Sequence, residues 1–137
     1  MSSEQSSFSG ITMLKLVFGI SSLWDGFTTV YGTTSILKGD DTHQIIAGVL
    51  LGAIILVLLY NTPTVLNYKH EVLGAVLKIL WACAIIYDFI TSFIGNQAFL
   101  ITSNTPDEIQ KFVLFGLTLF VIVSPIILSL LMGDKYK

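Results

Sequence analysis

Four long apolar runs constrain this chain more than any other feature. They extend from about Ile11 to Leu37, from Gln44 to Tyr60, from Leu73 to Leu100 and from Phe112 to Met132. A hydrocarbon core about 30 Å thick takes about 20 helical residues to cross. Backbone groups in lipid must be satisfied within the protein, so a crossing segment is either a helix or a strand of a closed barrel. A barrel strand alternates with period two, and Ile54-Ile55-Leu56-Val57-Leu58-Leu59 does not. Charged residues make up 12% of the chain against about 25% in soluble domains, too few to coat a globule in water. The net charge of -2 and seven scattered basic residues, all lysines, exclude a nucleic-acid binder. Cys83 is alone, so it forms neither an internal disulfide nor a cysteine-based metal site. The sequence predicts an all-α integral membrane four-helix bundle. A short polar tail occupies residues 1–10 and one four-span domain occupies residues 11–137, with the lipid bilayer as first partner.

The boundaries carry helix chemistry. Gly39 reads as a stop for the first helix. Asp41 with Gln44 three residues on reads as a cap for the second, which Asn61-Thr62-Pro63 closes. Thr105-Pro106-Asp107-Glu108 opens the fourth, with Thr105 expected as the cap and Pro106 at the first helical position. Pro125 should kink that helix and free the carbonyl of Val121. The Ser-rich start has Glu4 as its only charge and lacks the positive leader of a secretory signal, so no cleavable peptide is expected. Orientation follows from the lysines. Lys69, Lys135 and Lys137, with Lys15 and Lys78 near them, share one side, which places both termini in the cytoplasm. Lys38 and Lys111 are on the other, among Asp40, Asp41, Asp107 and Glu108. Tyr60, Tyr68 and Tyr136 fit the interface belt, His43 and His70 fit loop or cap positions at opposite faces, and Trp24 and Trp81 fit packing positions.

The chain also repeats itself. A shift of 63 residues carries Leu14, Lys15, Asp25, Thr28, Gly32 and Leu37 onto Leu77, Lys78, Asp88, Thr91, Gly95 and Leu100. Trp24 then falls on Tyr87, and Thr29 on Ser92. A shift of 64 carries Val49-Leu50-Leu51-Gly52 onto Val113-Leu114-Phe115-Gly116. Matching leucines and valines mean little in so apolar a chain. The lysine and aspartate recur at one spacing, however, followed by threonine and glycine at matching offsets. This predicts two tandem hairpins, about 11–61 and 73–132, forming a parallel internal repeat about a pseudo-twofold axis along the membrane normal.

The candidate site follows from the repeat. Lys15 and Lys78 precede the aspartates by ten residues, roughly 15 Å of helix at about 1.5 Å per residue. The lysines therefore anchor at the interface, where they can snorkel, while Asp25 and Asp88 lie near the midplane. A midplane aspartate costs about 2.5–3.5 kcal/mol, so it must face the interior and be hydrogen-bonded or protonated. Helical spacing gathers Ser21, Ser22, Thr28, Thr29 and Gly32 around Asp25, and Thr91, Ser92 and Gly95 around Asp88. Two readings follow. In one, Asp25, Ser22, Thr28, Thr29, Asp88, Thr91 and Ser92 line a path for protons or small cations, in a channel or carrier built as a homo-oligomer. In the other, they hydrogen-bond across a helix interface in a non-catalytic subunit assembled with other membrane proteins. Gly32, Gly48, Gly52, Gly95, Gly116 and Pro125 are expected to serve helix packing. The chain has no phosphate loop, no nucleophile with a base and no metal-binding helix motif, so neither an enzyme nor a cofactor is expected.

Overall fold

A computed structural model describes residues 2–38, 41–102 and 105–133, with side chains described from Gly10 onward. Gly39, Asp40, Lys135, Tyr136 and Lys137, and the side chain of Glu4, lie outside the described residues. Within them the chain is all-helical: α1 (Ser2–Ile36), α2 (Thr42–Tyr60), α3 (Thr62–Leu66), α4 (Glu71–Leu100) and α5 (Glu108–Gly133). The helices α2, α4 and α5 are long and apolar enough to cross a membrane. The polar stripe of α1 keeps its mean hydropathy lower, and it is not among them. Its outward residues are nonetheless apolar, with Leu16 61%, Ile20 60% and Leu23 74% exposed.

Exposure is inverted relative to a soluble bundle. Side chains without any exposure are chiefly polar: Thr28, Asp88, Thr91, Ser92, Asn96 and Thr118 are each at 0%. Among the large apolar residues, Phe112 is 78% exposed and Ile109 74%. Water would penalise such an exterior, whereas lipid tails solvate it and leave polar pairing and close packing to hold helices together. The buried apolar residues Ile55, Leu59 and Ala84 form a small cluster between α2 and α4, with Trp81 and Ile126 against it.

The helix ends differ from the sequence expectation in several places. Helix α1 starts at Ser2 rather than Ile11, because nothing in the Ser-rich segment interrupts it. At its other end Lys38 adopts a positive φ of 55°, taking the left-handed turn one residue before Gly39. Asp41 occupies the N-cap of α2 without a side-chain cap bond, and the Gln44 amide donates to the Leu37 carbonyl. In α5 the cap is Asp107, not Thr105. Its carboxylate accepts from the Gln110 amide at 2.7 Å, while the Gln110 side chain accepts from the Asp107 N–H at 3.1 Å, a closed capping box. Pro106 therefore precedes the cap. Asn61 closes α2 as expected, but Pro63 lies in the first turn of the short α3, whose Thr62 hydroxyl accepts from the Trp81 indole at 2.9 Å. His70 caps α4, accepting from the Leu73 N–H.

Candidate functional site

Helices α1 and α4 meet over the segments Trp24–Thr33 and Tyr87–Asn96, and glycines set how closely. A Cβ on Gly95 would stand 2.6 Å from the Thr28 carbonyl oxygen. A Cβ on Gly32 would stand 2.7 Å from the Thr91 Cα and closer still to its carbonyl. No other residue type fits either position, because the atoms in the way are backbone. Two of the expected packing glycines thus bring two backbones into contact, as small residues do in membrane bundles. Gly48 and Gly52 do similar work between α2 and α1, where their Cβ positions fall 3.1–3.2 Å from Val30 and Thr34. The expectation for Gly116 fails, because nothing lies within 4 Å of its Cβ position and the residue faces outward. Pro125 lies inside α5 and is buried.

Close approach brings the polar side chains into register. The Thr29 hydroxyl donates to Asp88 Oδ1, and the Ser92 hydroxyl donates to Asp25 Oδ1 at 2.9 Å. Thr29 and Ser92 also lie 3.1 Å apart, Oγ1 to Oγ. The Thr28 hydroxyl has the Asp25 carbonyl at 3.0 Å and Ser92 Oγ at 3.1 Å as acceptors, and the Thr91 hydroxyl donates to the Tyr87 carbonyl at 3.0 Å. The Thr29 and Ser92 hydroxyls thus bridge the Asp88 and Asp25 carboxyl groups. Both are buried, at 2% and 0% exposure, and Asp88 Oδ2 has no donor among the described residues. Neither aspartate forms an ion pair there.

Six of the seven expected pathway residues therefore come together: Asp25, Thr28, Thr29, Asp88, Thr91 and Ser92. Ser22 stays one turn away, donating to the Phe18 carbonyl at 2.7 Å, beside a cavity of about 280 Å³. Sequence reading missed the flanks. Asn96 accepts from the Trp24 indole at 2.8 Å and donates to Thr118 at 3.1 Å, and Thr33 pairs with the Tyr87 hydroxyl at 2.9 Å. The clue was available, since the shift of 63 that carries Trp24 onto Tyr87 also carries Thr33 onto Asn96. Lys15 is half-buried and Lys78 exposed, both well away from the carboxyl pair. Among the described residues no three His, Cys, Asp or Glu side chains gather as a metal site would require. Chemically the arrangement offers two buried carboxyl groups, a ring of hydroxyl donors and one acceptor oxygen left over. Compared with known protein families, with curated proteins and with solved structures, the chain matches none.

Proposed function

We propose that this chain is a small membrane transport protein for protons, with the Asp25–Asp88 pair as its proton-binding site. One observation carries the reading: two carboxyl groups meet in the bundle core with no cation paired to either among the described residues. Two like charges bridged in this way in a low-dielectric interior repel, and a single proton bound by the pair removes that repulsion. A helix lock has no need of such a pair. Asn96, in the same interface, hydrogen-bonds across it without any charge. What acids add is the capacity to take up and release a proton. The backbone contacts at Gly32 and Gly95 leave little room for a hydrated ion, which favours protons over larger cations.

In this reading α1 is a fourth span, its polar stripe turned inward on α4, and the lysine count keeps both termini cytoplasmic. The tandem repeat gains support from contacts that come in matched sets under the shift of 63. Asp25 with Ser92 matches Asp88 with Thr29, Thr28 with Gly95 matches Thr91 with Gly32, and Trp24 with Asn96 matches Tyr87 with Thr33. A self-complementary contact of this kind is what a twofold axis between equivalent helices produces. Four helices enclose little space, so a continuous path calls for a homo-oligomer.

The alternative, an assembly subunit of a larger membrane complex, draws on the hydroxyl bonds that satisfy one oxygen of each carboxyl group. Proteoliposomes with an imposed pH gradient separate the two. Wild type should leak protons above empty vesicles, and Asp25→Asn and Asp88→Asn should each lower that leak while remaining folded. Equal leak from wild type, both variants and empty vesicles refutes the transport reading and leaves the subunit reading. In that case Leu at either position weakens assembly, whereas Asn is tolerated.

A further inference from the structure

At the Lys15 end of the bundle, α1, α2, α3 and α5 border a cavity of about 790 Å³, within the range of about 300–1,000 Å³ typical of ligand sites. Lys15, Tyr60, Asn61, Thr64 and Ser129 contribute to its wall. Tyr60 and Asn61 also border the cavity of about 280 Å³, whose other walls are largely apolar: Gly19, Leu23, Leu56, Val57 and Leu128. A larger chamber carrying several polar side chains and an almost wholly apolar one therefore share a wall.

Three observations describe what fits. Lys15 is half-buried at the larger chamber and makes no ion pair among the described residues. The Tyr60 hydroxyl donates to the thioether of Met132 at 3.0 Å, a weak acceptor that any phosphate oxygen would outcompete. Gly19 borders the apolar chamber with nothing within 4 Å of its Cβ position, so that wall is open. The repeat sharpens the contrast. Lys78, the counterpart of Lys15, is exposed and is not part of either wall.

We propose that the two chambers hold an anionic phospholipid from the surrounding bilayer. Its phosphate pairs with Lys15 and accepts from the Tyr60 hydroxyl, and one acyl chain enters the apolar chamber past Gly19. The surrounding lipid supplies both parts of this ligand, and the adjoining chambers match its two halves in order. Free phosphate shares the headgroup chemistry but has nothing to place against Gly19.

The full chain in mild detergent tests this, with retained lipid read by native mass spectrometry and unfolding by a thermal scan. The additions are phosphatidylglycerol, phosphatidylcholine or inorganic phosphate. Phosphatidylglycerol should be retained in preference to phosphatidylcholine and should raise the unfolding midpoint, while inorganic phosphate should leave it unchanged. Lys15→Gln should cut phosphatidylglycerol retention about five-fold, the worth of one lysine at an anionic surface. Lys78→Gln should retain it as wild type does. Gly19→Leu should cut retention by filling the apolar chamber, and Gly19→Ala gives a milder version if the larger side chain disturbs folding. Equal retention of phosphatidylcholine overturns the proposal, as does a loss with Lys78→Gln equal to that with Lys15→Gln. Full stabilisation by inorganic phosphate overturns the acyl-chain half, as does unchanged retention in both Gly19 variants.

Discussion

Replacing Gly95 with alanine tests the central packing claim directly. The new methyl carbon would stand 2.6 Å from the Thr28 carbonyl oxygen and 2.9 Å from the Thr28 Cα, where ordinary contact begins at 3.4 Å. Since those atoms are backbone, relief requires α1 and α4 to separate by about 0.8 Å, the difference between the last distance and the first. Overpacking of this kind costs about 1–3 kcal/mol. The separation also stretches the Thr29–Asp88 and Ser92–Asp25 bonds, and hydrogen bonds in membrane bundles are worth about 0.6 kcal/mol each. Gly95→Ala should therefore destabilise the fold by about 1–3 kcal/mol, after the roughly 1 kcal/mol that alanine gains over glycine in a helix. Gly116→Ala, with nothing within 4 Å of its Cβ position, is the matched control and should be neutral or slightly stabilising. Reversible unfolding in mixed micelles, followed by circular dichroism, measures both. Gly32→Ala belongs to the same contact, so the Gly32/Gly95 double variant should lose less than the two single losses added together. Equal stability of Gly95→Ala and Gly116→Ala would refute the close approach of α1 and α4.

Three further expectations concern other parts of the chain. Asp107→Ala should cost about 0.5–2 kcal/mol by removing the cap of α5, while Thr105→Ala should stay within about 0.5 kcal/mol, and unfolding titrations distinguish them. Asn96→Leu should cost about 1–3 kcal/mol, because it strands the half-buried Trp24 indole N–H, and should shift the tryptophan emission that reports on that site. Reporters fused after Lys137 or inserted near Lys69 should read cytoplasmic, and one near Asp40 should read the opposite side. An external reading at Lys137 reverses the orientation.

The parts of the fold legible in sequence are those set by lipid. Helices α2, α4 and α5 coincide with long, predominantly apolar runs, and their existence needed no tertiary information. Boundaries were harder, because several short signals compete at each end. Thr105-Pro106 and Asp107-Gln110 both resemble helix starts, and only the paired bonds at Gln110 decide for the second. Helix α3 is a five-residue segment, too short for any periodicity to mark it. Within the site, Asp25 and Asp88 stood out because acids are rare in such runs and recur at one spacing, and Thr28, Thr29, Thr91 and Ser92 followed from helical spacing around them. Asn96 and Thr33 were missed because each lies beyond the turn that helical spacing assigns to its own aspartate. Their partners, Trp24 and Tyr87, are on the other helix, and no single-helix pattern reveals a bond between helices. Gly116 shows the converse error, a sequence match to Gly52 without the same neighbour across from it.

The side-chain bonds between α1 and α4 join residues 54 to 72 positions apart. Translation at about 5–20 residues per second delays the second partner by about 3–14 s. If α1 is the fourth span proposed above, for that interval it carries a carboxyl group with nothing to meet it, at a cost of about 2.5–3.5 kcal/mol in lipid. On that reading the delay orders biogenesis: the first helix is synthesised before its partners and should enter lipid together with the third apolar run. On the same reading a nascent chain stalled before Tyr87 leaves that carboxyl group unmet, whereas one stalled after Asn96 already holds every side-chain hydrogen-bond partner that α4 provides to α1 and lacks only the ring contacts of Phe99.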